Sequence, residues 1–292
     1  MTKSNIAIAV SIALGLNPAI FAGEAAQTEA GYTIPSEACA ALNHIAMTEV
    51  ANGQLEDAEA ALSAALASDP QRPEHACAGL VLNNLAAVMS ASGRMAEAET
   101  LAVQSLRILE ESFPLDDPIL LRPLHILAAA RLEQGKTAAA RQAFKRMQAI
   151  HVRRPEDRAL VHGMAAVLLH AEGRHKEAEP EYLTALGAWQ AAGHGETADA
   201  ASVLNSLGAL YIEEGRFEDA RRALDRALAI FATAKDTVPM DRIKILNLCA
   251  ALQTRQGEWW DAEEKLRQEV SIADRQEHLD LAEIIPVLAN LA

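Results

Sequence analysis

Nine histidines and 40 acidic side chains are the raw material for metal binding or proton transfer, so their spacing decides what chemistry is open. His162 and His170 lie eight positions apart on one helical run, about 12 Å along the axis, too far to share an ion. His170 and His175 straddle Gly173. None of these spacings is that of a metal site, so no metal and no cofactor is expected, and the histidines read as solvated or groove-lining. Carboxylates come in close pairs: Glu97 and Glu99, Glu177 and Glu179, Glu263 and Glu264. Each pair opens a helix, where negative charge is favoured by the helix macrodipole. An acid/base pair must instead converge on one pocket, so the pairs read as structural. The chain contains no G-x-x-x-x-G-K-[ST] phosphate loop, no H-E-x-x-H and no G-x-S-x-G nucleophile turn. No catalytic residue is expected.

Bulk properties narrow the class. The net charge is −14, and such a surface repels phosphate backbones and anionic membranes; nucleic acid is excluded as a partner. Half the residues are hydrophobic but only 4% are aromatic, which favours helices packed through small side chains over strands. At the N-terminus, Lys3 precedes an apolar run from Ile6 to Leu16, broken by Asn17-Pro18 and followed by the small residues of AIFAGEAA. That layout predicts a secretory signal peptide over residues 1–22, with cleavage after Ala22 and a second site after Ala25. The run is too short to span a bilayer, and no integral membrane segment is expected in the mature chain, which is placed in the periplasm or outside the cell. Residues 23–34 form a short linker.

The elements that position everything else show as a period. Gly53, Gly93, Gly135, Gly173, Gly215 and Gly257 are spaced by 40, 42, 38, 42 and 42 residues. Five positions after each stands an alanine: Ala58, Ala98, Ala140, Ala178, Ala220 and Ala262. Seven before each stands Ala46, Ala86, Ala128, Ala166, Gly208 or Ala250. Glycine ends a helix in the left-handed conformation, and the small residues mark where two antiparallel helices cross closely. Pro70, Pro73, Pro114, Pro118, Pro155 and Pro239 separate the units. Two further prolines strain the pattern: Pro180 falls in the first turns of a second helix, and Pro123 lies inside another if Pro118 starts it. The predicted fold is all-α, with six helix-turn-helix repeats over residues 35–292. The tail IIPVLANLA copies the first half of a seventh repeat and reads as a capping helix.

The segments VLNNLAAVMSASGRMAEAETLAVQSLRILEESFPLDDP, VLNSLGALYIEEGRFEDARRALDRALAIF and ILNLCAALQTRQGEWWDAEEKL resemble the tetratricopeptide repeat, in its longer form of about 42 residues found in kinesin light chains. The resemblance implies a right-handed superhelical solenoid whose first helices line a concave groove, and a protein or extended peptide as partner. The residue ten before each glycine should point into that groove: Asn43, Asn83, His125, Gly163, Asn205 and Asn247. Asparagine offers a donor and an acceptor to a peptide backbone whatever its sequence, and kinesin-light-chain-like repeats are similar in using such a ladder. Arg122 and Lys244, one turn N-terminal, add carboxylate contacts. The expected function is a non-catalytic interaction scaffold. The competing readings are a self-associating structural subunit and an enzyme or metal protein built on groove histidines and acids. The sequence leaves the oligomeric state open.

Two further readings concern single residues. Cys39 and Cys77 share an Ala-Cys-Ala context near the starts of adjacent first helices, and an exported chain could bridge them if both face inward. Cys249 occupies a buried column and stays a thiol. Trp259 and Trp260 follow Gly257, with core packing as the default for one and a surface contact as the minority reading for the other.

Overall fold

A computed structural model describes residues 45, 46, 48, 49, 54–67, 76–233 and 239–256. Among them are ten α-helices and no strand: α1 (Leu55–Ala67), α2 (Ala76–Ala91), α3 (Met95–Ser112), α4 (Leu121–Glu133), α5 (Thr137–Ala149), α6 (Pro155–Ala171), α7 (His175–Ala191), α8 (Ala198–Glu213), α9 (Phe217–Thr233) and α10 (Pro239–Gln256). The architecture is an all-α repeat solenoid. The described helices fall into two compact units, one running through Gly195 with α1–α7 and one from Glu196 with α8–α10. The expected signal peptide, linker and capping half-repeat, with Gly53, Gly257 and both neighbouring tryptophans, lie outside the described residues.

The glycine column does what its spacing requires. Gly93, Gly135 and Gly173 have φ of 73° and Gly215 has 75°, a region that costs any other residue. At Gly93 the amide donates to Ser90 O at 3.2 Å and the next amide, Arg94, to Met89 O at 2.8 Å. The same two bonds recur at Gly135, Gly173 and Gly215, satisfying carbonyls that a helix end leaves bare. A fifth such turn, at Gly193 with φ 79°, closes α7 and was not anticipated.

The small-residue columns are the helix crossings. Ala58, Ala98, Ala140, Ala178 and Ala220 are wholly buried, as are Ala46, Ala86, Ala128 and Ala166. In the first unit α2 packs on α3, α4 on α5 and α6 on α7. Each pair is joined to the next by α3 on α4, α2 on α4, α5 on α6 and α4 on α6, with α1 seated on α2. In the second unit α8, α9 and α10 pack on one another. Approach is closest where a side chain is missing altogether: Ser105 Oγ donates to Gly79 O at 2.6 Å, and a Cβ on Gly79 would meet Leu109 Cγ at 2.8 Å.

Proline sets the helix starts. Pro155 and Pro239 are the first residues of α6 and α10, where the missing amide would be idle anyway. Pro118 opens a short 3-10 turn, Pro118–Leu120, capped by Asp117 Oδ1 accepting from Ile119 N–H at 2.9 Å. Because α4 begins only at Leu121, Pro123 sits in its first turn without losing a bond. Pro180 lies inside α7, which continues through it to Ala191.

Charge pairs run along the turns. Arg94, Arg174 and Arg216, each directly after a turn glycine, clamp the acid three residues on: Glu97 and Glu177 at 2.6 Å, and Asp219 at 2.8 Å. The arginines hold all three carboxyls below the usual carboxylate range. A second set ties one repeat to the next: Glu59 to Arg94, Glu99 to Arg131 and Lys136, Arg146 to Glu110, and Arg141 to Glu172.

Candidate binding face

The first helices of the pairs, α2, α4 and α6 in one unit and α8 and α10 in the other, carry the residues ten before each glycine. They behave differently from repeat to repeat. Asn83 on α2 is 6% exposed and Asn205 on α8 is 0% exposed. Neither of these two is exposed: α2 is buried around its whole circumference from Gly79 to Ser90, and α8 from Leu204 to Ile212. With every face covered, an amide there must find partners inside. Asn83 Nδ2 donates to Asn84 Oδ1 at 3.1 Å, while Asn83 Oδ1 is buried with no hydrogen-bond partner among the described residues. A buried acceptor left so is costly.

The other positions are partly open. His125 and Arg122 share one face of α4, and both are half-buried. Burial, then the Arg122 charge one turn away, push the His125 imidazole down to about 4, so it is neutral at pH 7 and offers one donor and one acceptor. On α6 a Cβ at Gly163 would meet nothing within 4 Å, which makes this the place where backbone itself can be approached. Beside it, His162 Nδ1 lies 2.6 Å from Glu181 Oε2 of α7. Asn247 on α10 is half-buried. Lys244 belongs to α10, but its side chain, like the whole of Asn43 and Cys39, lies outside the described residues. Cys77 is disulfide-bonded, and Cys249 is a buried thiol.

A profile of the tetratricopeptide repeat matches residues 37–111, 77–151 and 157–233. The chain belongs to the tetratricopeptide repeat family. Repeats of this family mediate protein–protein interaction and are typically non-catalytic. Solved structures that superpose with TM-scores above 0.5 agree on the fold. A Rap protein complexed with Competence and Sporulation Factor superposes with a TM-score of 0.58 at 17% identity, over 87% of this chain and 75% of that one. BtubC (BKLC) from P. vanneervenii gives 0.52 at 22%, over 82% and 94%. Repeats of a kinesin light chain type from Podosopora anserina give 0.46 at 24%, over 66% and 94%. No curated protein matches the chain.

In this tetratricopeptide chain, two arrangements were missed by sequence reasoning. The basic residue after each turn glycine and the acid three later form a clamp, a G-R-x-x-[ED] pattern visible at Gly93, Gly173 and Gly215. His170 and His175, which seemed merely to flank a turn, have ring centroids 5.3 Å apart.

Proposed function

We propose that this chain is an exported, non-catalytic binding module that grips an extended segment of a partner protein along the first helices α2, α4 and α6 of one unit. Family membership supports the partner class. The observation that carries the site is the half-buried pair of Arg122 and neutral His125 on one face of α4, in the same register as the open backbone at Gly163. A peptide backbone meets the donor and the acceptor of neutral His125, and Arg122 favours a carboxylate nearby. Export rests on Lys3, the Ile6–Leu16 run and the small residues before Gly23; no described helix is long and apolar enough to cross a membrane.

The test has two arms. Mass analysis of protein recovered from the cell envelope should show a chain beginning at Gly23 or Ala26, and recovery of intact Met1 protein from the cytoplasm would contradict export. Immobilised mature chain should then retain an envelope protein that an Arg122→Ala/His125→Ala chain does not retain. Equal retention by both chains, each shown to be helical, would place the contact elsewhere.

A further inference from the structure

His170 closes α6 and His175 opens α7, with the Gly173 turn between them. That turn is fixed: Gly173 N–H donates to His170 O at 2.9 Å and Arg174 N–H to Leu169 O at 2.9 Å. The reversal brings together the side chains three before and two after the glycine. Repeat two shows the same meeting, where Ser90 Oγ contacts Met95 Sδ at 3.8 Å. The corresponding residues are Leu132 and Thr137 in repeat three and Ile212 and Phe217 in repeat five. In repeat four, both are imidazoles. Their rings stand edge to face with centroids 5.3 Å apart, and their ligand atoms lie within 4.8 Å of one another.

We propose that His170 and His175 form a chelating pair for a divalent transition ion of the zinc class. Imidazole suits Zn²⁺, Cu²⁺ and Ni²⁺. Two nitrogens on one tetrahedral zinc, each about 2.0–2.1 Å from the metal, are about 3.3 Å apart, within a small side-chain rotation of the arrangement here. The supporting contact is also present: His170 Nδ1 lies 3.2 Å from Tyr182 Oη, with the tyrosine ring edge-on at 6.1 Å. Histidines that bind metals usually tie their second nitrogen to such a group, which fixes the tautomer. Here Nδ1–H donates to the Tyr182 hydroxyl and Nε2 is the ligating atom. His170 is 1% exposed while His175 is half-exposed, so an ion enters from the His175 side. Water or a carboxylate completes its coordination. The bound ion fastens α6 to α7 across the turn.

The test uses the untagged full chain, stripped of metal by chelation, and Zn²⁺ alone as the probe. Calorimetric titration should show about one equivalent bound, and His175→Ala should weaken it by at least about tenfold. His151→Ala, an exposed loop histidine, serves as the control and should bind as wild type. Because His175 opens a helix, circular dichroism should accompany the variant. Electron paramagnetic resonance of the Cu²⁺-loaded wild type reads the site without any substitution and should show two coordinated imidazole nitrogens. No zinc uptake, a His175→Ala chain that binds like wild type, or a copper spectrum without paired imidazoles would overturn the proposal.

Discussion

A Cβ placed on Gly208 would lie 2.7 Å from Leu224 Cδ2 and 2.8 Å from its Cγ, so the one glycine in a column of alanines is there because α9 leans a branched side chain into it. Alanine raises helix propensity by about 1 kcal/mol, but overpacking costs about 1–3 kcal/mol. Gly208→Ala should therefore destabilise by about 1 kcal/mol net. Leu224 is wholly buried, and Leu224→Ala alone should cost about 2–5 kcal/mol through its cavity. The double variant should lose less than the sum, because each change relieves the other. Urea unfolding of the four chains measures this; strict additivity would mean that the two residues do not compete for space.

Gly135 isolates the backbone effect, since its added Cβ would meet nothing within 4 Å. With φ at 73°, Gly135→Ala should cost about 1–2 kcal/mol from conformation alone. A thermal midpoint equal to that of wild type would contradict the turn assignment.

Acid stability has two separable sources. Glu99 accepts hydrogen bonds from Lys136, Arg131 and Gln134, and Lys136 first among them holds its carboxyl down to about 2. A lowered carboxyl stabilises above the unfolded pKa of about 4.3, and that contribution is lost as pH falls from there toward 2. Its size is at most about 3 kcal/mol, less what solvent screening removes. His125, held at about 4, also stabilises the neutral form. Its contribution is complete above about 6.5 and lost as pH falls to about 4. His125→Asn should flatten stability between pH 6.5 and 4, and Glu99→Gln should flatten it below 4.3. Denaturation curves at half-unit pH steps distinguish them, and unchanged slopes would show that neither group is perturbed.

The thiol count tests the cysteine reading. Of three cysteines, Cys77 is disulfide-bonded and Cys249 is a buried thiol. Titration under denaturing, non-reducing conditions should give one thiol per chain, with a peptide containing Cys39 and Cys77 released only on reduction. Three thiols would rule the bridge out.

The glycine and alanine columns were legible because a helix end and a close crossing each impose one residue type wherever they recur. Pro123 was ambiguous because the 3-10 turn that makes it harmless depends on Asp117 capping Ile119. The cross-repeat pairs, such as Glu99 with Lys136, join residues 37 apart, and nothing local to either marks the partner. Burial of Asn83 and Asn205 was not legible because an amide reads as polar in sequence even where helices enclose it on every side. His170 and His175 were judged by helical spacing, although the Gly173 reversal interrupts the helix between them.

The most direct test of the binding reading is a titration of the recovered partner against wild-type and Arg122→Ala/His125→Ala chains, with Arg222→Ala, on an arginine whose side chain is 78% exposed, as the control. Two lost contacts of about 0.5–1.5 kcal/mol each should raise the Kd of the double variant by roughly five- to a hundredfold, with the control unchanged and all three equally helical. An unaltered Kd in a helical double variant would contradict the claim that the partner lies along the first helices.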